Sequence, residues 1–217
     1  SVTELNTGYQ VSFGGQQVIT GGTVTPLTAA GVQTAFEGGT LNSGEMYGLL
    51  TSRDVHVAGQ RSQLDQLANT LANGAMTVTI PSGSVIPEGT VLNGVTYSDA
   101  AGNRTITSDL SVTVNGINGL HKLGYNSSGQ PGGDFFGTRD SSGTVTAGNI
   151  TLNKTLQDDP SKIAFSLRTS GTGSDEKVVA GNGGLALIMS ELKGTKMDFG
   201  ASTPTTVQDY FNGIIGQ

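Results

Sequence analysis

The chain has 217 residues, and its 17 acidic and 11 basic side chains give a formal charge of −6. That length suffices for one large or two small domains with a sizeable core. Lys and Arg form no cluster, which argues against a phosphate-neutralising nucleic-acid surface, and the lack of cysteine excludes disulfides, thiolate metal sites and a cysteine nucleophile.

Glycine is abundant at 34 residues, and Ser, Thr and Asn fill much of the rest. Such a mixture suits short strands joined by many turns, hence a β-rich or α+β fold. Hydrophobic residues make up 35% and recur at regular periods, so a packed fold is expected rather than disorder. No apolar run reaches membrane-spanning length, so no membrane partner is expected, and the opening residues do not read as a signal peptide.

The first forty residues read as strands. Gly8–Phe13 alternates polar and apolar residues, Gly14-Gly15 supplies a turn, and Gln16–Thr20 returns, which predicts a hairpin. Gly21-Gly22 breaks again before Thr23–Thr25, where Pro26 limits the strand. Asn42 with Glu45 reads as a helix cap. From Met46 to Leu71 the apolar positions share one broad face, with Leu50, Val57, Leu64 and Leu71 spaced by sevens. This stretch is either a coiled-coil-like seam or one long amphipathic helix on a globular core. Gly59 weakens its middle by about 1 kcal/mol relative to alanine.

At Asn73-Gly74 the helix is expected to stop. Strand-like runs follow at 76–80, 90–92, 94–97, 104–107 and 110–114. Residues 75–114 are therefore expected to form a small all-β lobe inserted into the remainder, 1–74 and 115–217. The lobe should be dispensable for folding. Beyond it come a helix through Ile117, Leu120 and Leu123, a glycine-rich stretch from Gly129 to Phe136, and strands at 150–152 and 163–167. A second helix is predicted from Asn182 to Gly194, and a third opens at Ser202-Thr203-Pro204 with Val207, Tyr210, Phe211, Ile214 and Ile215 on its apolar face. Leu64, Leu67 and Leu71 should pack against that third helix. The fold class is α+β: a β-rich body with one long and two shorter helices, plus the inserted lobe.

The chemical inventory is nearly empty. His56 and His121 both lie in helical stretches, and no G-x-S-x-G elbow accompanies them. Asp158-Asp159 and Asp175-Glu176 are neighbours whose side chains diverge, and Asp159 before Pro160 reads as a turn start. Asp134 and Asp140 lack an alternating calcium-loop pattern. Gly129–Gly133 and Gly171–Gly173 lack the Lys-Ser/Thr ending of a phosphate loop. Glycosylation sequons at Asn103, Asn126, Asn149 and Asn153 are those that an Asn/Thr-rich chain carries by chance. No catalytic, metal-binding or cofactor-binding residue is expected.

Three segments in order carry a family resemblance. The run Gly44-Glu45-Met46-Tyr47-Gly48-Leu49-Leu50-Thr51-Ser52-Arg53-Asp54, with Gln63–Ala72 after it, looks like a G-x-L-x-G-L-L-x-x-R-D helix and its L-D-x-L-A-x-x-L-A ending. Val114-Asn115, His121-Lys122-Leu123-Gly124-Tyr125 and Gly129–Phe136 look like a V-N-x-x-H-x-x-G-Y continuation and a G-x-P-G-x-x-F-F loop. Asn182–Leu192 and Tyr210–Gly216 look like a late helix and a Y-x-x-L-V-x-x-I-G segment. Together these resemble the flagellar hook-associated protein 1 family over residues 9–74 and 115–217, with 75–114 as an interruption.

The resemblance implies a structural, non-enzymatic subunit of the bacterial flagellum at the hook–filament junction. It would be extracellular, exported without a cleaved signal peptide, and would need no cofactor. The family's long terminal helices are absent here, so the chain is expected to be the outward-facing middle, monomeric on its own. The implied partners of the whole protein are copies of itself, the hook protein, the second junction protein and an export chaperone. The alternative is a secreted adhesin-like or glycan-binding β module, with the inserted lobe as its binding surface.

Overall fold

The structure is a computed structural model that describes residues 28–200 and 203–216, together with the backbone of four strands nearer the start. The fold is α+β and divides into two compact units, residues 1–60 and 61–217. In the first, β1 (Val2–Leu5), β2 (Gly8–Phe13), β3 (Gln16–Thr20) and β4 (Thr23–Val24) form an antiparallel meander in that order. The expected hairpin is present, with Phe13 opposite Gln16. Gly14-Gly15, Gly21-Gly22, Thr25 and Pro26 lie outside the described residues.

Helix α1 (Ala29–Glu37) occupies a stretch expected to be strand. The Thr28 hydroxyl caps it by accepting from Gly31 N–H at 3.0 Å, and Ala29, Ala30, Gln33, Ala35 and Glu37 favour the helix that follows. Helix α2 (Gly44–Thr51) starts after Ser43, not at Asn42. It runs into a π-helical stretch, Ser52–Val57, and then into α3 (Ala58–Asn73).

The second unit is organised by a sheet. Strand β5 (Ala75–Ile80) pairs along its whole length with β8 (Leu110–Asn115), and β13 (Lys196–Met197) and β14 (Thr205–Thr206) extend it on the other side of β5. Alternation in β5 sends Met76, Val78 and Ile80 inward and Thr77 and Thr79 outward. Between these strands lies the small hairpin of β6 (Val91–Leu92) and β7 (Val95–Thr96), turning on Asn93-Gly94. Helix α4 (Gly116–His121) follows β8 directly. Next come β9 (Phe136–Thr138) paired with β10 (Ile150–Leu152), α5 (Lys154–Asp158), and the ribbon of β11 (Thr169–Ser170) with β12 (Lys177–Val178). Helices α6 (Gly184–Glu191) and α7 (Val207–Ile215) complete the unit.

Several expectations are corrected. Runs 104–107 and 163–167 make single bridges, Val85 to Thr105 and Tyr125 to Ser166, rather than strands. The third helix begins at Val207, because Thr205-Thr206 first joins the sheet and the Thr206 hydroxyl then caps the helix on Asp209 N–H at 3.1 Å. Pro204 therefore precedes the strand, and Ser202 lies outside the described residues. On α3 the fully buried residues are Ala68, Thr70 and Ala72, whereas Leu64, Leu67 and Leu71 are half-buried. Leu67 packs on the main core, Leu71 shares a groove with Met197 and Val207, and Phe211 is exposed.

Residues 75–114 differ most from expectation. Their ends do meet: Ala75 lies opposite Asn115, and Gly116 N–H donates to Gly74 carbonyl at 2.7 Å. Gly116 holds φ +57° there, and a Cβ on it would overlap the backbone of Ala72, so only glycine fits. The segment has no core of its own, however. Met76, Val78, Ile80, Ile86, Val112 and Val114 share one cluster with Leu120, Leu167, Leu185 and Met197. Further bonds tie it in, from Val85 N–H to Leu167 carbonyl at 2.8 Å and from Arg168 to Ser82 carbonyl at 3.0 Å. The compact unit begins instead at Arg61, inside α3.

Deleting residues 75–114 by joining Asn73 to Asn115 should therefore abolish cooperative unfolding. Each large buried side chain is worth about 2–5 kcal/mol, so losing six removes an amount that matches or exceeds the roughly 5–15 kcal/mol that stabilises a domain. A sharp thermal transition in that deletion variant, followed by circular dichroism, would contradict the shared core.

Candidate functional site

The polar residues of the second unit converge on two buried centres. The first is His121, at the end of α4 and fully buried. Its Nδ1 lies 2.7 Å from Gly133 carbonyl, and its Nε2 accepts from Ala164 N–H at 2.8 Å. A carbonyl only accepts, so Nδ1 carries the proton and the ring is the neutral Nδ1–H tautomer. Burial lowers the His121 pKa, with the Gly133 carbonyl and the Asp134 charge pulling the other way. Gly132 abuts the ring so closely that a Cβ would overlap His121 carbonyl. Phe135 and the imidazole pack edge to face, with centroids 5.3 Å apart. Both nitrogens hold backbone groups, which leaves neither free to act as a general base.

The second centre is Arg104, with a side chain only 6% exposed. Its Nε donates to Ile86 carbonyl at 2.8 Å, Nη1 to Asp99 at 2.8 Å, and Nη2 to the Tyr125 hydroxyl at 2.7 Å and to Glu176. Glu176 also accepts from the Thr169 hydroxyl at 2.6 Å. Burial works to lower the Arg104 pKa, but the bonds to Glu176, Tyr125 and Asp99 outweigh it and raise the net value. Burial pushes the Tyr125 hydroxyl up to about 12, against the pull of Arg104. This is a saturated buried ion pair, with every guanidinium nitrogen occupied.

The other weighed residues stay apart from these centres. His56 is exposed in the π-helical stretch. Asp158 pairs with Lys154 at 2.9 Å, while Asp159 caps the 3₁₀ turn Pro160–Lys162, the turn start read from the sequence. Asp134 pairs with Lys122 at 2.7 Å. Asp140 accepts from Asn149 and Ser142, which hold its carboxyl at about 2. Gly171 turns the β11–β12 ribbon at φ +83°. Each sequon asparagine uses its amide in a turn or cap: Asn103 on Thr96 and Ser98, Asn126 on Ser128 and Gln130, Asn149 on Asp140 and Thr146, Asn153 on Thr155. Among the described residues, no group of three or more His, Cys, Asp or Glu is placed to hold a metal ion. Among them too, no helix is long and apolar enough to cross a membrane.

Sequence reasoning missed Glu176 and Arg104 as partners, since they lie 72 residues apart and neither sits in a motif. In the first unit, Arg53 and Asp54 pair with each other and reach Gln33 on α1, from Arg53 Nη2 at 2.6 Å and to Asp54 Oδ2 at 3.1 Å. The Arg53 and Gln33 bonds hold the Asp54 carboxyl at about 2. Compared with known proteins, the chain matches no family model, no curated protein and no solved structure.

Two outcomes follow from the buried centres. In the unfolded chain His121 titrates near 6.5, and its folded pKa is lower. Stability should thus be full above about pH 6.5 and fall as pH drops toward the folded value, because the unfolded chain then binds the extra proton. In a His56→Gln background, the urea midpoint should fall between pH 7.5 and 5, and His121→Phe should flatten that fall while lowering the midpoint throughout. An unchanged slope in the phenylalanine variant would place the titration elsewhere. At Arg104, Glu176→Gln should lose about 3 kcal/mol by chemical denaturation, the lower end of the range for a broken buried pair because Asp99 remains. A loss under about 0.5 kcal/mol would mean that solvent screens the pair.

Proposed function

We propose that the chain is a structural subunit of the bacterial flagellum, the outward-facing middle of a hook–filament junction protein, and that it is not an enzyme. The observation that carries this reading is the use made of the polar residues in the resembling segments. Arg53 and Asp54 bind each other and Gln33. His121 holds two backbone groups, and Tyr125 binds Arg104. The Asn182 amide oxygen accepts from Ser166, Leu167 and Gly184, which positions α6. In each case the side chain stabilises the chain's own backbone or a neighbouring side chain and presents no reactive group.

On this reading the chain is extracellular, exported without a cleaved signal peptide, and monomeric by itself. Copies of itself, the hook protein, the second junction protein and an export chaperone are the partners of the whole protein. The reading is tested in cells carrying the gene. Deleting it should leave hooks in place but filaments missing by electron microscopy, with motility restored by the gene in trans. Normal filaments in the deletion strain would overturn the proposal, as would antibody label spread over the cell surface instead of gathered at the hook–filament boundary.

A further inference from the structure

Two loops in the second unit, residues 126–134 and 153–162, face each other across an open cleft of about 360 Å³. That is the small end of the range for ligand pockets and accommodates one or two sugar rings. Both walls are stiffened from within. Asn126 Oδ1 accepts from Ser128 and Gln130 N–H at 2.9 and 3.1 Å. Asn153 and Asp159 each cap their own turn, at 3.0 Å in both cases. His121 then ties the walls together, because Gly133 belongs to one and Ala164 follows the other by two residues. The width of the cleft is thus set by a buried imidazole and not by mobile surface contacts.

The chemistry of the lining is specific. The Ser128 and Thr155 hydroxyls, the Gln130 amide and the Lys162 ammonium make no hydrogen bond among the described residues, although the fold uses their neighbours fully. Asp159 offers its second carboxylate oxygen, the first being held by Ser161. The charges nearly cancel, with Lys162 beside Asp159 and Lys122 on Asp134. A multiply charged ligand therefore gains little here. Adjacent hydroxyls, each both donor and acceptor, match this set of amide, carboxylate and hydroxyl groups. Pro131, which is exposed, adds an apolar edge for the C–H face of a ring.

We propose that this cleft binds a neutral saccharide, at a site outside residues 75–114. The proposal is independent of the structural role above, and either can fail alone. Among the described residues no aromatic ring lines the cleft to stack on a sugar, so affinity rests on hydrogen bonds and falls near a Kd of about 1 mM. The test is a ¹H–¹⁵N NMR titration of the full chain with glucose, galactose, mannose and N-acetylglucosamine. At least one sugar should give saturable shifts in the Gln130, Asn126 and Asn153 side-chain amides and the backbone of both loops, with none in 75–114. Gln130→Ala and Thr155→Ala, both exposed positions that leave the spectrum's dispersion intact, should each weaken that binding about tenfold. The proposal fails if no sugar gives saturable shifts or if both variants bind unchanged. It also fails if inorganic phosphate shifts the same amides at lower concentration than any sugar, which would make the cleft an anion site built on Lys162.

Discussion

The second unit depends on the two hydrogen bonds of the His121 ring. A buried imidazole with an unpaired nitrogen loses the water that would satisfy it, at about 1–3 kcal/mol. The fold must therefore deliver a carbonyl to one side and an N–H to the other. Gly133 and Ala164 do so, and each brings a whole segment with it. Gly132 must then lie against the ring and can carry no side chain, while Gly124, three residues after His121, leaves room for Leu185 of α6. Leu185 N–H in turn donates to Phe165 carbonyl at 3.1 Å, one residue from Ala164. The loop 126–134, the segment 163–167 and the start of α6 are thus placed from one point.

Arg104 acts differently. A guanidinium and a carboxylate removed from water regain their solvation only where geometry is saturated, so the pair contributes less to net stability than to specifying which segments meet. Its partners come from three separate stretches: Asp99 nearby, Tyr125 just after α4, and Glu176 in the β11–β12 ribbon. Tyr125 also bridges to Pro131 and Ser166. The His121 and Arg104 centres are consequently linked through Tyr125, four residues along the chain from the histidine. Apolar burial supplies the driving force for residues 75–114 to join the common core, and Arg104 fixes how they join.

Short-range signals were legible in the sequence and long-range ones were not. The β2–β3 hairpin, the strand runs at 76–80 and 110–114 and the Asp159-Pro160 cap are each decided within a few residues, and all are found. The change of period at Gly74 and Asn115 was read correctly as two meeting ends. Alternation tells which face of a strand is buried but not against what, so the inference of a separate lobe did not hold. The same limit hid the Arg104–Glu176 pair. Helix α1 was also legible locally, in its Ala29, Ala30, Gln33, Ala35 and Glu37 and the Thr28 cap, but the strand reading of the preceding residues was extended over it. The saccharide cleft had no signal at all, since Ser128, Gln130 and Thr155 are ordinary loop residues until the fold sets them opposite one another.

The seven-residue spacing of Leu50, Val57, Leu64 and Leu71 shows how a regular pattern can mislead. Such spacing aligns side chains on one stripe only if every residue turns the chain by the α-helical angle. The stretch Ser52–Val57 is π-helical, with wider turns and a smaller rotation per residue. Leu50 and Val57 therefore do not stack, and Val57 stays 48% exposed. Downstream, α3 buries Ala68 and Ala72 against Val145, with Phe136 and Ile150 beside them. Small side chains at spacing of four let that helix approach β9 and β10 closely, which large knobs at the same positions would prevent. Helix α3 thus packs through Ala68 and Ala72 on one side and through Leu67 on the main core on the other.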